Sequence, residues 1–397
     1  MVDQAFPWIQ VAIGLGAYLT SWGVLLFLAR HFNLEAKGLK VGPLYLVYKT
    51  TSLNHTLRRL ANVFRRGWRV FFSMGAAVGI GMLVLIVYQL LRNAFNLAYR
   101  TREAGPVQVL LPIPGVTMSW ENFPYAVAAI FVLLVTHEAA HAIASIVEGV
   151  PLKSSGVFLA AVVPGGLVEL DDEALDRSPY STQLRVFAAG SSANLAVSLI
   201  FLVLMANFTS TITPFYHIVP SGILVGGTTP GYPAELAGIK AGDIIEGING
   251  TEIATIDELR AFMTHVAPNT RLVVATSRGE FRLVTAPDPG NKTRAILGVT
   301  QLSNHVKYVP KFSFLSADLP RQLFNLEFWI HFVTTSVAMI NMLPLFPLDG
   351  DRYLLALLQS LGIKNAKAVR STMSAFSFLI LVMNLFLSYV TFGFLKM

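Results

Sequence analysis

Cysteine is missing from all 397 residues. Disulfides are thereby excluded, and so is any metal site built on thiolates. A metal here must be held by His, Asp or Glu. Charge is scarce as well. Asp, Glu, Lys and Arg make up 13% of the chain, against about 25% in soluble domains. Hydrophobic residues reach 54%, and the mean hydropathy is +0.57. This balance excludes an ordinary soluble globule and points to a chain solvated largely by lipid. The net charge is +7. In a soluble protein that would suggest nucleic acid. Here the basic residues fall in loops beside apolar runs, where they set membrane orientation, and no nucleic-acid partner is expected. No basic segment precedes residues 7–29 and no small-residue cleavage site follows, so that run reads as a span rather than as a cleaved signal peptide.

A bilayer core takes about 20 apolar residues per helix. Six runs qualify, at 7–29, 70–91, 122–147, 184–206, 324–345 and 373–395. The loop 30–69 carries Arg30, Lys37, Lys40, Lys49, Arg58, Arg59, Arg65, Arg66 and Arg69 against the single acid Glu35. It is expected on the cytoplasmic side. Arg352, Lys364, Lys367 and Arg370 follow the fifth span, and counting six spans puts them on that same side. Both termini and the segment 207–322 then face outward.

That outward segment has a different texture. Gly222–Val225, Asp243–Asn249, Leu272–Ala275 and Phe281–Val284 read as strands, punctuated by Gly, Pro and Asn. Ala234–Gly238 and Ile256–Val266 read as helices, the second capped by Thr255 or Asp257. Two other stretches are too broken to span. One is 104–119. The other is 154–170, apolar with Pro and Gly at its centre, which suits a hairpin or re-entrant strand pair sheltered by protein. The expected fold is a polytopic α-helical membrane protein of about six spans, with a membrane-associated β-hairpin and one inserted α+β domain. It divides at 1–121, 122–206, 207–310 and 311–397.

The sharpest motif is His137-Glu138-Ala139-Ala140-His141. On a helix, residues i and i+4 share a face. Two imidazoles there grip one Zn²⁺, and the intervening Glu reaches a metal-bound water as general base. The motif lies inside an apolar run, where burying His, Glu and His without compensation costs several kcal/mol. A catalytic zinc with two imidazoles lacks one protein ligand. Asp349, in Asn341-Met-Leu-Pro-Leu-Phe-Pro-Leu-Asp-Gly350, is the best candidate, because two prolines break the end of the fifth span before it. His331 is the rival. It lies about 27 Å of helix rise from position 349, at the wrong depth for His137. Asp351 reads as solvated or paired with Arg352. In the fourth span, Gly190-Ser-Ser-Ala-Asn194 offers small residues for close helix packing. Asn194 either packs or serves catalysis, orienting water or donating to an oxyanion. Asn341 carries the same two readings.

Taken together, these residues resemble the site-2 protease family of intramembrane zinc metallopeptidases. The likeness rests on His137-Glu-Ala-Ala-His141, on Gly190-x-x-x-Asn194 and on Asn341-x-x-Pro-x-x-Pro-Leu-Asp-Gly350, in that order on membrane segments. Gly156–Asp171 and Ser178–Gly190 look similar to the animal members. The segment Pro230–Gly250 resembles a PDZ domain of the protease-associated kind, with Gly222, Ile223, Leu224 and Val225 as its peptide-binding loop and edge strand. Animal members carry a cysteine-rich insert there, which this chain lacks. The resemblance covers about 122–206, 219–302 and 323–352, and leaves the first two spans outside the family core. It implies zinc-dependent cleavage of the transmembrane helices of membrane-anchored proteins, and the span count with the depth of His137 and Asp349 puts the expected active site in the cytoplasmic half of the membrane. It also implies peptide termini as partners of the PDZ-like domain, which lies on the opposite side.

A helical substrate must be unwound to be cut. The stretch 154–170 is expected to pair with it as an added strand along Val157–Val163. Val157, Phe158, Leu159, Pro164, Gly165 and Asn341 are the expected substrate contacts. The competing reading is a non-catalytic membrane scaffold or zinc carrier with a peptide-binding module. A carrier has no need of Glu138 and would line its whole path with polar residues.

Overall fold

The computed structural model describes residues 8–50, 52–109, 112–160 and 163–393. The tip of the expected hairpin, at 161–162, and the end of the last expected span, at 394–395, lie outside them. The chain divides into two compact units. Unit 1 is Met1–Ala206 with Asn325–Met397, and unit 2 is Asn207–Phe324.

Unit 1 opens with helix α1 (Trp8–His31), strands β1 (Leu39–Gly42) and β2 (Tyr45–Thr50), and helices α2 (Ser52–Val63), α3 (Arg65–Ala98) and α4 (Phe123–Glu148). Strands β3 (Leu152–Ala160) and β4 (Val163–Leu170) follow, then α5 (Asp172–Asp176) and α6 (Tyr180–Ala206). Unit 2 begins with the single turn α7 (Phe208–Ile212). It contains β5 (Tyr216–Leu224), β6 (Gly227–Thr228), α8 (Pro233–Leu236), β7 (Ile244–Ile248), β8 (Thr251–Glu252), α9 (Ile256–Thr264), β9 (Arg271–Thr276) and β10 (Gly279–Val284). Short strands β11 (Ala286–Pro287), β12 (Ala295–Ile296) and β13 (Val299–Thr300) lead to β14 (Ser303–Pro310). Helix α10 (Leu319–Asn341) returns the chain to unit 1, which ends with α11 (Asp349–Ser360) and α12 (Ala366–Phe392).

Among the described residues, α3, α4, α6, α10 and α12 are long and apolar enough to cross a membrane. The first expected span is also helical, over the 24 residues of α1. Helix α4 starts with Pro124 in its first turn, where the missing N–H costs nothing. It stops at Gly149, whose φ of 82° suits glycine and closes the last turn onto Ile146 and Ser145 carbonyls. The stripe Ala188, Ala189, Gly190, Ser191 and Ser192 of α6 is buried, and these small side chains let α4 and α3 approach closely. Phe72, Met82, Ile143, Val147, Val186, Phe187, Met342 and Tyr353 complete that core. Helix α3 therefore does more than the sequence suggested for the first two spans. Its Gly75 abuts Ser192 of α6, and its Ala76 carbonyl accepts the Tyr353 hydroxyl of α11.

The expected hairpin is present. Val157 pairs with Gly166, Phe158 with Gly165, and Leu159 with Pro164. Its surroundings correct the reading of Val157–Val163 as a free edge. Strands β1 and β2, which fell inside the stretch read only as a basic loop, join it in a four-stranded antiparallel sheet of order β1-β2-β3-β4. Val157, Phe158 and Leu159 pair with Tyr48, Val47 and Leu46 on the other side, so β3 has both edges occupied. The free edges belong to β1 and β4. Arg352 of α11 reaches Asp172 and Asp176 of α5, at 2.9 and 3.5 Å. Within unit 1, the loops carrying 39–50, 152–176 and 349–360 thus meet at one end of the bundle.

Unit 2 is built on an antiparallel sheet of order β10-β9-β7-β5-β14, with β8 pairing β7. Alternate residues of β9 point inward, and Leu272, Val274, Ile223, Ile245, Ile248 and Ile253 fill the core beneath α9. Thr255 is the cap of α9, its hydroxyl accepting the Glu258 N–H at 3.2 Å. The expected edge at Gly222–Val225 is corrected here. Ile223 and Leu224 pair with Asn304 and Ser303 of β14 on one side and with Ile245 and Ile244 of β7 on the other. Ile223 and Val225 are fully buried. These two side chains serve the core. An open groove lies elsewhere in unit 2, between α9 and the extended segment Ala295–Thr300, with a volume of about 930 Å³.

Candidate metal centre

His137 and His141 stand one turn apart on α4. Asp349 is the first residue of α11. It is carried to them by a tight turn that leaves α10 at Asn341. Gly350 makes that turn possible, because a Cβ there would lie 2.3 Å from the Met342 backbone. The three donor atoms converge. His137 Nε2 and His141 Nε2 are 3.2 Å apart, and Asp349 Oδ2 lies 3.3 Å from the first and 3.2 Å from the second. The sequence rival His331 is elsewhere, bonded through Nδ1 to Ser198 on α6.

This triangle fits a metal ion. In a tetrahedron with metal–ligand distances of about 2.0–2.1 Å, two ligand atoms lie about 3.3 Å apart. The three edges match that value, and the fourth vertex is left to a non-protein ligand. The donor set of two imidazoles and one carboxylate is that of a catalytic zinc site rather than a closed structural one.

The outer contacts orient the imidazoles. His141 Nδ1 donates to the Val186 carbonyl at 2.8 Å, which leaves its Nε2 lone pair for the metal. The Asn194 amide lies 3.0 Å from His137 Nδ1 and 3.0 Å from Thr136 Oγ1. If His137 offers its Nε2 lone pair to a cation, Nδ1–H must donate, so the amide oxygen faces the ring. The amide N–H then donates to Thr136 Oγ1, whose own hydroxyl donates to the Val132 carbonyl at 2.8 Å. Asn194 thus stands beside a ligand, as a group that fixes His137. Asn341 also stands beside that ligand, with its Nδ2 3.3 Å from His137 Nε2.

Glycine supplies two close approaches that the sequence reading took for packing or left unread. A Cβ on Gly190 would lie 2.4 Å from His137 Cε1 and 2.5 Å from His141 Nε2, so only a hydrogen fits against the two rings. A Cβ on Gly166 would lie 2.3 Å from Glu138 Cγ. Strand β4 therefore passes directly over Glu138, and Pro164 and Gly165 precede that crossing on the same strand. Val157, Phe158 and Leu159 are one strand further away, on β3. Asp351 is neither solvated nor paired with Arg352. It is 1% exposed and accepts from Arg370 Nε of α12 at 2.8 Å.

The match to known proteins follows this geometry. The model of peptidase family M50 matches residues 125–384, more than half of the chain. The chain belongs to that family, the site-2 protease family. A protein of Arabidopsis thaliana named membrane-bound transcription factor site-2 protease homolog is 27% identical over 210 residues, covering 53% of this chain and 40% of that one. An uncharacterized protein of Methanocaldococcus jannaschii is 22% identical over 332 residues, 83% of this chain and 80% of its own length. The putative serine protease HhoA of Synechocystis is 38% identical over 71 residues, 18% of each chain. A solution structure of a protein from Geobacillus thermodenitrificans, GtR34C, is 31% identical, covers 20% of this chain and 97% of its own, and has a TM-score of 0.18. The chain thus spans well under half of the plant relative and most of the archaeal one. Membership of M50 makes it a metallopeptidase by family and, with its apolar helices, an integral membrane protein.

Proposed function

We propose that the protein is a zinc endopeptidase of the site-2 type, cutting the membrane-spanning segments of membrane-anchored proteins. The observation that carries this reading is the three-atom triangle of His137, His141 and Asp349 with Glu138 between the two imidazoles on α4. When bound there, zinc polarises the scissile carbonyl and makes water a nucleophile near neutral pH. Glu138 takes the proton from the attacking water and passes it to the departing amine. Asn194 and the Val186 carbonyl hold the imidazoles, and in this reading Asn341, near the same donor atoms, donates to the carbonyl oxygen as charge develops on it.

The substrate reading moves by one strand. A helix entering the site must expose backbone, and β4 is the strand with a free edge that runs over Glu138. An unwound segment adds to β4, with Pro164 and Gly165 at its upstream end. With α1 taken as a sixth span, the basic residues of 30–69 favour a cytoplasmic strand-bearing end. By the same count, Asn207–Phe324 lies on the outer side as a PDZ-like domain. Its peptide site is the groove lined by Ile256, Leu259, Met263, Leu297, Val299 and Leu302, in place of β5.

The test is reconstituted cleavage. Purified protein in bilayers is mixed with a single-span model substrate whose helix contains a helix-weakening pair of residues. Cleavage inside the span that a chelator stops and zinc restores is the expected result. Cleavage that persists in chelator, or that falls outside the span, overturns the proposal.

A further inference from the structure

The sheet of unit 2 ends at β14, and that end is open. In the order β10-β9-β7-β5-β14, β14 pairs with β5 alone. The pairing fixes which backbone groups are left over. Just past the strand, the Lys311 N–H donates to the Phe215 carbonyl at 2.9 Å, in register with Pro310 opposite Tyr216. In an antiparallel ladder a residue's N–H and C=O point to one side, and that side alternates along the strand. Val309 and Lys307 therefore bond toward β5, and Val306, Tyr308 and Pro310 point away from it. The prolines agree with this parity. Pro310, and Pro220 opposite Val306, occupy positions that donate nothing across the pair. Among the described residues, the outward N–H groups of Val306 and Tyr308 have no partner, nor do the carbonyls of Val306, Tyr308 and Pro310.

Beside that edge runs a trough of about 670 Å³. Residues 304–310 form one wall, and Ala317, Asp318, Arg321 and Phe324 form the other. The second wall is the entry to α10 and its first turns, so an edge strand and a helix flank an open channel. A row of unpaired N–H and C=O groups that repeats every two residues is matched by the backbone of another extended chain. A second copy of this protein would bring its own β5 behind β14, into the space of 317–324. The trough therefore admits a single strand and no continuing sheet.

We propose that β14 takes up the stretch of a membrane-anchored protein that lies just outside its span, as an added strand paired with Val306, Tyr308 and Pro310. This rests on the protease reading for the identity of the guest. One wall of the trough is the start of α10, a helix long and apolar enough to cross a membrane. A guest whose own helix enters the bilayer beside α10 brings the stretch next to that helix to the trough. Strand addition at an edge needs no free terminus, so the site differs in its guest from the α9 groove.

The chain's lack of cysteine makes the test direct. Lys307→Cys places a single thiol at an exposed position of the edge, and Glu280→Cys places one on β10, at the opposite edge of the sheet. Each is built on Glu138→Gln, so the guest stays uncut and the readout does not depend on turnover. A single-span substrate carries one cysteine, moved residue by residue through the stretch outside its span. Under mild oxidation in liposomes, Lys307→Cys should crosslink at alternate substrate positions, the two-residue period of a strand, and Glu280→Cys should not. Yields without that period, or equal from the two edges, overturn the proposal. A disulfide between two Lys307→Cys chains in place of the substrate also overturns it, in favour of pairing between copies. With Glu138 restored, proline at the substrate positions whose N–H faces β14 should raise KM about tenfold, and proline at the positions between them should leave it unchanged. Equal KM in the two series overturns the pairing. A protein that crosslinks with the period yet never cleaves contradicts the protease reading alone. One that cleaves without the period contradicts the added strand alone.

Discussion

Gly190→Ala tests whether the metal centre depends on the backbone of α6 as well as on its ligands. The added Cβ would sit 2.4 Å from His137 Cε1, where ordinary contact begins near 3.4 Å, so one side must move by about 1.0 Å. Metal–ligand distances tolerate only about 0.2 Å. The rings cannot yield freely, because His137 is tied to Asn194 and His141 to the Val186 carbonyl. We expect the zinc dissociation constant to rise on the order of 100-fold, about 2.8 kcal/mol, with about 1–3 kcal/mol lost from folding. The assay is a competition titration against a chromophoric chelator in detergent, alongside thermal unfolding. Gly81→Ala on α3 is the control. Nothing lies within 4 Å of its added methyl, so zinc affinity should hold and stability should rise by up to about 1 kcal/mol. If Gly190→Ala binds zinc as tightly as the parent, the close approach of α6 to the imidazoles is not what shapes the site.

Arg370→Leu leaves the Asp351 carboxylate buried without its partner, and should cost about 3–5 kcal/mol with a lowered Tm; an unchanged Tm refutes the role of this pair in anchoring α11. In unit 2, hydrogen bonds from Arg278 hold the Asp243 carboxyl below its ordinary value of 3.8. The folded-state value is the depressed one, so the pair's contribution is full above pH 3.8 and fades as acid drives the pH down through the folded value. Arg278→Gln should therefore shift acid unfolding of Asn207–Phe324 to higher pH, read by pulse proteolysis across a pH series; an identical acid midpoint contradicts it. Met263→Glu in the α9 groove should weaken binding of a hydrophobic C-terminal peptide about tenfold or more, measured by fluorescence anisotropy, because it puts a charge into an apolar lining. Full retention of affinity would move the peptide site away from that groove.

What the sequence made legible was local. The pair His137 and His141 follows from helix periodicity, and the strands and helices of 219–302 from alternation and turn residues. Asp349 was reachable because proline and depth narrowed the choice. What stayed hidden depends on pairing between distant segments. Nothing in Gly222–Val225 shows that β14, some eighty residues later, covers its edge. Strands β1 and β2 left a signal in Tyr45-Leu-Val-Tyr48 after the Gly42-Pro43 turn, but the surrounding basic residues made the stretch read as a loop. Once β2 pairs with β3, the hairpin's free edge is that of β4. Asp351 likewise finds Arg370 on the next helix rather than its neighbour Arg352, which turns instead to α5.

The central claim is that Glu138 performs proton transfer at a metal it does not bind. Glu138→Gln keeps the side chain's shape against Gly166 and removes its basicity. The decisive measurement pairs zinc content with cleavage of a membrane-spanning substrate for this variant and the parent in the same bilayers. Equal zinc and a rate at least about 100-fold lower are expected. Equal zinc with an unchanged rate would contradict it.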